Sequence, residues 1–349
     1  MAEGGRQGEV RHSGVIPTEG AALDKVVRAW RAPNRVLDIV DEAGPCGFGI
    51  HRHLTARGED CVVVSPSRVP KRSGDRVKTD RRDRVTRARR HRAGELRAIH
   101  SPDATDEARR DLVRGREDAV VVATQATYRL QACLLRPGRR YPGRAGWTLP
   151  YRRWVADRSF SRAAQHITLQ EYRDAIDETA RRIARLTEQV RQVAPTWRWA
   201  PLVAALQARR GVAFITARGV VAELGDRTRF GHPRERMAFV GLVPSESSSG
   251  PSVRRGGITN AGNPHVRRLL AEAAWADQGV PRIGRQQRYR QEGLPKGVCD
   301  IAWNAPLRLR GRLRRLVARG TSKPKVATAI ARELSGFIWA MAREVSASA

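Results

Sequence analysis

The amino-acid sequence predicts an α/β region at the N-terminus, followed by a mainly helical region. Three patterns support this fold class: a strand–helix–strand order before residue 66, a heptad-like apolar pattern near the middle, and helical sequence after residue 200. The chain has 349 residues, and 40% of them are hydrophobic. This length and composition allow two or three domains with cores of their own, and they exclude an intrinsically disordered protein.

The strand–helix–strand unit is the clearest local pattern. The apolar run at residues 35–40 indicates a buried strand that ends in a turn containing Glu42, and residues 61–65 form a second β-rich run. A helix lies between them, and this order favours a parallel sheet with helices on its faces. The other predicted elements of this region are a short strand at residues 10–16, a helix at 21–31 and a helix of mixed charge at 104–135.

The middle of the chain combines a predicted linker with a long amphipathic helix. Residues 136–165 are rich in arginine, glycine and tryptophan and are predicted to be the linker. In residues 166–196 the spacing of the apolar side chains alternates between three and four residues. These positions are Leu169, Tyr172, Ile176, Thr179, Ile183, Leu186, Val190 and Val193. Two interpretations stay open: a coiled coil that supplies a contact between subunits, and an amphipathic helix that packs on its own domain.

The C-terminal region, residues 200–349, is predicted to be mainly helical. Two helices joined at Gly211 are weakly similar to a helix-hairpin-helix DNA-binding module, in which Ala213 replaces the second expected glycine. A loop rich in serine and glycine follows at residues 244–262. The last helix is predicted at residues 326–345, and one of its faces is apolar and is predicted to pack in the core. That face consists of Ile330, Leu334, Phe337, Ile338 and Met341.

The charge of the chain points to a polyanionic partner. The formal net charge is +31 and the isoelectric point is about 11.5. Self-repulsion of this size destabilises a folded protein, and a nucleic acid would screen it. Most of the excess is arginine, whose guanidinium groups bind phosphate oxygens in pairs and stack on bases. The alternative explanation is a genome-wide bias toward arginine, and the charge alone indicates no particular chemistry.

Cysteine usage and hydropathy indicate the compartment. The four cysteines are far apart in the sequence and form no C-x-x-C pair, so neither a disulfide framework nor a zinc site is predicted. The N-terminus has no signal-peptide pattern, and no apolar window is long enough to cross a bilayer. We therefore expect a cytoplasmic protein without a membrane partner.

Three carboxylates are candidate metal ligands. Asp80 and Asp83 are three residues apart in a segment that is predicted to be helical, so they project from one face. Glu42 comes just after a predicted buried strand, where α/β sheets place functional groups. Carboxylate oxygens are ligands that Mg²⁺ prefers, and two such ions serve phosphoryl transfer. The alternative is a solvated helix whose acids balance neighbouring cations such as Arg81 and Arg82.

A second candidate site lies in the serine-rich loop. The segment Pro244-Ser-Glu-Ser-Ser-Ser-Gly250 is followed by two pairs of arginines, Arg254 with Arg255 and Arg267 with Arg268. A serine in this loop can attack a phosphodiester while guanidinium groups neutralise the phosphate. Backbone N–H groups of the helix that starts near Pro264 can also face phosphate oxygens. The alternative is a flexible polar loop without a catalytic role.

These segments together resemble the IS110-family transposases (the IS110/IS1111 group) over nearly the whole chain. Glu42-Ala-Gly-Pro-Cys-Gly47 is similar to the second acidic motif of that family, and the segment from Pro70 to Asp83 is similar to its third and fourth acidic positions. The segment from Gly241 to Gly250, followed by Arg254-Arg-Gly-Gly-Ile-Thr259, resembles the serine motif of its C-terminal domain. The run Arg332-Glu-Leu-Ser-Gly-Phe-Ile-Trp-Ala340 resembles the closing helix.

The resemblance implies three domains and a set of partners. Residues 1–135 would form a RuvC-like (RNase H-like) domain of the DEDD type, residues 166–196 a coiled coil, and residues 200–349 the C-terminal transposase domain. The implied activity is DNA recombination during transposition. The implied partners are DNA, a structured noncoding guide RNA, and further copies of the chain in a dimer or tetramer.

The resemblance also implies roles for particular residues. An acidic tetrad would bind Mg²⁺, with Glu42, Asp80 and Asp83 as three of its members. A serine would form a covalent link to DNA during strand exchange. Ser249, directly before Gly250, is the first candidate for this nucleophile, and Ser248 is the second.

The chain departs from the family pattern at three places. The opening strand that carries the first acidic residue has no counterpart, Arg84 replaces a small residue, and Asn260 replaces a lysine. Because the loss of one ligand disables a two-metal site, a catalytically inactive, nucleic-acid-binding remnant is the alternative function. A Holliday-junction resolvase with the same carboxylates is a third interpretation, and the serine motif argues against it.

Overall fold

The structure is a computed structural model that describes residues 8–10, 12–33, 35–44, 47–66, 69, 79–143, 147–226 and 229–347. The chain divides into two compact units, Met1–Asp103 and Ala104–Ala349, and each unit has its own architecture. Helices dominate the described residues, and the strands in them form two small sheets. No helix in the described part of the chain is both long and apolar enough for a bilayer span.

The first unit contains the predicted strand–helix–strand arrangement. β1 (Asp38–Glu42) and β2 (Asp60–Val64) are parallel, with Asp38 opposite Asp60 and Glu42 opposite Val64. The connection between them contains α2 (Gly49–Thr55), as a parallel pair of consecutive strands requires. Two further helices complete the unit, α1 (Gly20–Trp30) and α3 (Asp80–Arg92). The predicted order is confirmed, although β1 begins at Asp38 rather than at Arg35.

The core of the first unit is small and lies beside β2. Leu54 of α2 and Cys61, Val63 and Val64 of β2 are buried. The strand predicted at residues 10–16 is wrong, because residues 12–16 form no strand and Val15 is 78% exposed. An extended segment that pairs with no neighbouring strand leaves its backbone groups to solvent, so its apolar residues gain no burial.

The second unit begins with two long antiparallel helices. They are α4 (Ala104–Leu135) and α6 (Ala163–Gln192). Near one end of the pair, Arg109 donates to the carbonyl of Val193, and one or two turns further Arg116 Nε donates to Thr187 Oγ1 at 2.7 Å. Since residue numbers rise along α4 and fall along α6, the helices run in opposite directions. The helix predicted at 104–135 is confirmed, and it lies in the second compact unit.

The heptad positions of α6 form the face that is buried in this helix pair. Leu169, Ile176 and Val190 are buried, whereas the intervening charged residues are exposed. Leu169 and Ile176 pack in one cluster with Ala126 and Leu130 of α4. The apolar seam therefore packs within one chain, in agreement with the second of the two open interpretations. A contact between subunits through this helix stays a prediction.

The segment predicted to be a linker is instead packed over part of its length. Residues 149–156 form α5 (Leu149–Ala156), whose first turn is capped by Thr148 Oγ1, which accepts from the N–H of Tyr151 at 3.4 Å. Tyr151 and Val155 are buried. The aromatic rings that surround them belong to Tyr141, Trp147, Trp154 and Phe160. Residues 136–162 connect α4 to α6, and the aromatic side chains buried at this end of the helix pair stabilise the segment. Its arginine and glycine content alone indicates a linker.

The remainder of the second unit is a helical bundle with one small hairpin. Its helices are α7 (Ala200–Gln207), α8 (Phe214–Leu224), α9 (Pro233–Phe239), α10 (Pro264–Ala274), a 3₁₀ helix (Trp275–Gln278), α11 (Arg285–Gln291), α12 (Lys296–Ala318) and α13 (Lys323–Ala347). The hairpin consists of β3 (Pro244–Glu246) and β4 (Arg255–Ile258). Ile330, Leu334, Ile338 and Met341 of α13 lie in the centre of the main core, which confirms the predicted core face.

Two buried polar clusters cross this core. Arg209 and Asp277 form an ion pair in which neither side chain is exposed to solvent. Asp106 accepts from Trp197 Nε1 at 2.7 Å and from the guanidinium of Arg198. Burial works to raise the pKa of Asp106, but these donors outweigh it and the pKa is lowered. Trp197 is itself buried, so it packs in the core rather than presenting a stacking surface.

Candidate active-site residues

The first group of candidate residues lies on β1 and α3 of the first unit. Glu42 is the last residue of β1, and its Oε2 is 2.5 Å from Nη2 of Arg87. One turn later on α3, His91 Nε2 is 2.9 Å from Oδ1 of Asp38, at the start of β1. Side-chain contacts at both ends of the strand, an ion pair at Glu42 and a histidine–carboxylate contact at Asp38, therefore hold α3 against β1. The Arg87 partner of Glu42 gives no signal in the sequence, because it lies 45 residues away in an arginine-rich run.

Asp80 and Asp83 lie in the first turn of α3. Thr79 caps this helix, and its Oγ1 accepts from the N–H of Arg82 at 3.3 Å. Asp80 and Arg81 are exposed, and Asp83 is half-buried. Carboxylates in the first turn are stabilised by the helix dipole, so these positions also have a structural explanation. The prediction that this segment is helical is confirmed from Asp80 onward.

The structure does not gather the three predicted ligands into one metal site. Among the described residues, no group of three or more His, Cys, Asp or Glu side chains is arranged to hold a metal ion. Pro45, Cys46 and residues 70–78, which neighbour the candidate ligands in sequence, lie outside the described residues. A shared metal at Glu42, Asp80 and Asp83 therefore stays a prediction.

Asp41 is a fourth carboxylate near this group that the sequence pattern does not single out. It precedes Glu42 on β1, so the two side chains point to opposite faces of the strand. Burial raises the pKa of Asp41, against the charges of His51 and Arg87, which lower it. A carboxylate whose pKa is raised by burial takes a proton more readily, and such groups are enriched at functional sites.

The second group of candidate residues lies on the β3–β4 hairpin of the second unit. β3 and β4 are antiparallel, and Glu246 pairs with Arg255 at the last position before the loop. At the tip, the backbones of Ser249 and Ser252 exchange two hydrogen bonds of 3.1 Å. Gly250 has φ +56°, a left-handed conformation that glycine adopts without strain. The serine-rich segment is therefore a tight hairpin tip and not a loose loop.

The two candidate serines differ in their hydroxyl contacts. Ser248 Oγ donates to Glu246 Oε1 at 2.8 Å and accepts from the backbone N–H of Arg254 at 3.3 Å. Ser249 Oγ has no hydrogen-bond partner in the described part of the chain. The hydroxyl of Ser248 is therefore held by the hairpin, whereas the hydroxyl of Ser249 is available to a ligand.

Glu246 is a contributor that the sequence pattern did not indicate. Its carboxylate accepts from Ser248 Oγ and, at 3.3 Å, from Arg255 Nε. The hydrogen bond from Ser248, followed by the contact with Arg255, lowers the pKa of Glu246. Its position two residues before Ser248, at the end of β3, was the available signal, because alternate residues of an extended segment share one face.

The predicted nucleic-acid-binding arginines have different environments. Arg254 and Arg255 flank the hairpin tip and are exposed. Arg267 Nη1 donates to the carbonyl of Val240 at 2.9 Å, and Arg268 pairs with Glu117 and Glu272. Arg267 and Arg268 therefore have partners inside the unit, whereas Arg254 and Arg255 lie at the surface, where Arg255 contacts only the exposed Glu246 among the described residues. On α3, Arg81 and Arg82 are exposed.

Two glycines of the predicted motif fix the base of the hairpin. Gly241 and Gly262 both have positive φ, +69° and +89°. A Cβ atom at Gly241 would collide with the carbonyl of Ala261, and one at Gly262 would collide with the carbonyl of Phe239. Only glycine allows the segments before β3 and after β4 to approach this closely. The spacing of glycines in the motif therefore has a structural cause that is independent of catalysis.

The helix after the hairpin begins with a side-chain cap. Asn263 Oδ1 accepts from the N–H of Val266 at 3.0 Å, and Asn263 Nδ2 donates to Glu223 at 2.6 Å. Glu223 also accepts two hydrogen bonds from Arg114, of 2.6 and 2.9 Å. The start of α10, predicted to face a phosphate, is thus tied into the protein through Asn263.

Comparisons with known proteins agree with this arrangement of motifs. A family model named DEDD_Tnp_IS110 and described as "Transposase" matches residues 5–137. A second model, described as "Transposase IS116/IS110/IS902 family", matches residues 203–289, which include the hairpin.

Two relatives extend the similarity to most of the chain. A putative transposase, y4qE, of Sinorhizobium fredii is 43% identical over 344 residues, which cover 99% of this chain and 85% of the relative. The transposase for insertion sequence element IS1533 of Leptospira borgpetersenii is 27% identical over 283 residues, or 79% of this chain and 80% of the relative. The chain belongs to the IS110 family of insertion-sequence transposases.

Proposed function

We propose that this transposase cuts and rejoins DNA with Ser249 as the nucleophile and with Mg²⁺ bound by carboxylates of its N-terminal, RuvC-like domain. The observation that carries the proposal is the hairpin tip, which presents the unpaired Ser249 hydroxyl between Gly250 and the stem that holds Arg254 and Arg255. A free hydroxyl on a rigid turn beside cations is suited to attack on a phosphodiester.

The proposed step conserves the number of phosphoester bonds. Ser249 Oγ attacks phosphorus and loses its proton, the Oγ–P bond forms, and the bond from phosphorus to one deoxyribose oxygen breaks. The released sugar oxygen takes up a proton. Arg254 and Arg255 would neutralise the charge that develops on the phosphoryl oxygens. A sugar hydroxyl from the other DNA end can reverse the step, which gives strand exchange without an external energy source.

Glu42, Asp80 and Asp83 are the proposed magnesium ligands, because their donor atoms are the oxygens that Mg²⁺ prefers. The ion would supply charge stabilisation for phosphoryl transfer. The described residues place Asp80 and Asp83 on one helical turn but leave Glu42 with Arg87. We therefore derive no reaction step through the ion.

Trapping the protein–DNA adduct tests the nucleophile. The protein is incubated with the DNA ends of its own element and Mg²⁺, and the adduct is measured on denaturing gels and mapped by mass spectrometry. Ser249→Ala is expected to lose the adduct and keep DNA binding. Ser248→Ala is the matched control and is expected to retain it. The reverse result transfers the role to Ser248, and adducts in both variants contradict a serine nucleophile in this loop.

The metal proposal needs a separate measurement. Adduct formation is followed as a function of Mg²⁺ concentration in the wild type, in Asp80→Asn and in Asp103→Asn, an acidic control in the same unit. We expect a complete loss in Asp80→Asn and after chelation, because the ligand charge is removed while the shape is kept. Unchanged adduct formation in EDTA excludes a required metal.

A structured guide RNA and self-association complete the proposal. The net charge of +31 and the exposed Arg81 and Arg82 of α3 support a second polyanionic partner besides DNA. Nucleic acid that copurifies with the protein is expected to be sensitive to RNase, and the complex is expected to have the mass of a dimer or tetramer by light scattering. A nucleic-acid-free monomer that is fully active would contradict both points.

The second candidate function is an inactive, nucleic-acid-binding remnant. It is favoured by one observation: the Glu42 carboxylate is paired with Arg87, and the described residues form no acidic cluster that could hold a metal. This function predicts salt-dependent DNA binding without any adduct in wild type, under conditions in which an active relative forms one.

A further inference from the structure

A large groove in the second unit adjoins the serine hairpin, and of its lining residues only Arg255 takes part in the chemistry proposed above. Its volume is about 1060 Å³, at the upper end of the range of roughly 300–1,000 Å³ that ligand pockets occupy. Its walls come from four separate elements: α9, the β3–β4 hairpin, the middle of α12 and the first turns of α13. All of them lie in the same compact unit.

The charge on the groove is strongly positive. Its cations are Arg234, Arg255, Arg308, Arg312, Lys325 and Arg332, and Glu333 is the carboxylate among its lining residues. Glu333 is already engaged, because Arg308 Nε and Arg312 Nε lie 3.2 and 2.6 Å from its oxygens. A cluster in which cations exceed carboxylates to this extent is stabilised by a polyanion and destabilised without one.

Three of the cations have no partner within the described part of the protein. Arg234, Lys325 and Arg332 form no ion pair or side-chain hydrogen bond within the described part of the chain. Arg234 and Lys325 are exposed, and Arg332 is half-buried. Nothing in the fold requires positive charge at these three positions, so their shared groove wall points to an external anion.

The groove also has apolar lining residues. Met237 and Ile258 are half-buried, Leu242 is buried, and Pro233 and Pro324 line the groove as well. Apolar side chains among cations are suited to an unpaired nucleic-acid strand, because its base faces gain from apolar contact while its phosphates are bound by cations. A duplex keeps its base faces inside the stack, and it would leave these apolar side chains uncovered.

The groove continues into the serine hairpin through one side chain. Arg255 lines the groove, and its Nε is 3.3 Å from Glu246, whose other oxygen accepts from Ser248. Gly256 and Gly257 follow on β4, and a Cβ atom at Gly257 would meet nothing within 4 Å. The backbone of β4 is therefore open at Gly257, whereas Ser245 covers Gly256.

We propose that this groove binds a single DNA strand through its phosphates and leads it to the serine hairpin. This inference rests on the proposed function, since it supplies the substrate strand for that reaction. Arg234, Lys325 and Arg332 hold the phosphates, and Met237 and Ile258 contact the bases. The ligand is an unpaired DNA strand, such as a melted or cleaved end of the element.

The test compares two triple variants with equal loss of charge. The groove variant carries Arg234→Gln, Lys325→Gln and Arg332→Gln. The control variant carries Arg310→Gln, Arg314→Gln and Lys323→Gln, cations of α12 and α13 that do not line the groove. None of these six side chains has a carboxylate partner among the described residues, so both variants are expected to fold, which circular dichroism checks.

Binding of a fluorescein-labelled single-stranded oligodeoxynucleotide is measured by anisotropy over a range of salt concentrations. The groove variant is expected to lose affinity by about tenfold or more, and its slope of log K against log salt to fall by about 2, as for three lost phosphate contacts on a single strand. The control variant is expected to keep most of the wild-type slope. Equal losses in the two variants would overturn the proposal, because they would show a general effect of charge.

The type of nucleic acid is tested with the same proteins. An equal loss of affinity for blunt duplex DNA, or a loss confined to single-stranded RNA, contradicts the proposed ligand. These binding measurements use Ser249→Ala protein as well as wild type, and they need no catalysis. The two proposals fail by different readouts. If the groove proposal is wrong, the groove and control variants bind single-stranded DNA equally well, and the adduct can still map to Ser249. If the serine proposal is wrong, no adduct maps to Ser249, and the difference in binding between the two variants remains.

Discussion

The carboxylates in the core of the second unit contrast with the candidate metal ligands of the first unit. In the second unit, Asp106, Glu223 and Asp277 are buried, and each accepts hydrogen bonds from arginine or tryptophan side chains. In the first unit, Asp80 is exposed at a helix start and Glu42 is half-buried with a single described arginine partner.

This difference separates structural carboxylates from available ones. The oxygens of these buried carboxylates face protein donors inside the core and are out of reach of a metal or a substrate. An exposed carboxylate keeps its oxygens for external ligands. Both kinds occur in a chain with a large excess of cations, so the sequence pattern alone does not distinguish them.

Asp277→Ala is expected to destabilise the second unit most. It leaves Arg209 buried without its partner, and the loss of one member of a buried ion pair costs about 3–5 kcal/mol. The free energy of unfolding is measured by urea denaturation. The matched control is the double variant Arg209→Met, Asp277→Leu, which removes both charges and is expected to recover most of the stability. A single variant as stable as wild type would contradict a structural role for this pair.

Glu223→Gln is expected to cost about 1.5–3 kcal/mol, because the hydrogen bonds from Arg114 and Asn263 lose their negatively charged acceptor. Burial works to raise the pKa of Glu223, but the hydrogen bonds from Arg114 and Asn263 outweigh it and the pKa is lowered. A lowered folded-state pKa means that the carboxylate stabilises the fold at neutral pH, and that this contribution is lost as the pH falls.

The pH dependence of the free energy of unfolding tests whether the charge of Glu223 is the cause of this stabilisation. Between neutral pH and the ordinary glutamate pKa of about 4.3, the full contribution of Glu223 is present, and it disappears as the pH falls further toward the lower folded-state value. The difference between the wild-type and Glu223→Gln unfolding curves should therefore be large at pH 7 and shrink below pH 4.3. A difference that is independent of pH would show that charge on Glu223 does not stabilise the unit.

Asp80→Asn is expected to change the free energy of unfolding by less than about 0.5 kcal/mol, as for other exposed positions without buried contacts. Thermal unfolding of the full chain measures this effect. Combined with the loss of adduct formation, an unchanged stability would identify Asp80 as functional. A loss of stability as large as that of Glu223→Gln would instead assign it a structural role at the start of α3.

The sequence predicted the periodic elements of the fold well. The strand–helix–strand unit, α4, α6 and the core face of α13 follow from local apolar spacing, which the structure buries as expected. α5 was not predicted from the sequence, and its residues were assigned to a linker. The helix is stabilised by aromatic neighbours at 141, 147 and 160, and these contacts leave no helical periodicity in the sequence.

The candidate site was predictable only as separate pieces. Local motifs indicated Ser248, Ser249 and the acidic residues, but their contacts depend on tertiary placement. Glu42 meets Arg87, and the hairpin groove joins β4 with residues 308–333, far along the chain. Such pairings are set by how helices pack, and a charge pattern with 66 Lys and Arg residues offers too many equivalent partners to select one.

The antiparallel pair of α4 and α6 sets a fixed length inside the second unit. α4 has 32 residues, which corresponds to about 48 Å of helix. The aromatic cluster around Tyr151 lies at one end, and the main core around Val113 and Val190 lies at the other. Insertion of seven matched residues into both helices would move the cluster outward by about 10 Å with a rotation of only about 20°. Five residues would rotate it by about 140°, so register in this pair controls the orientation of the distal aromatic surface as well as its reach.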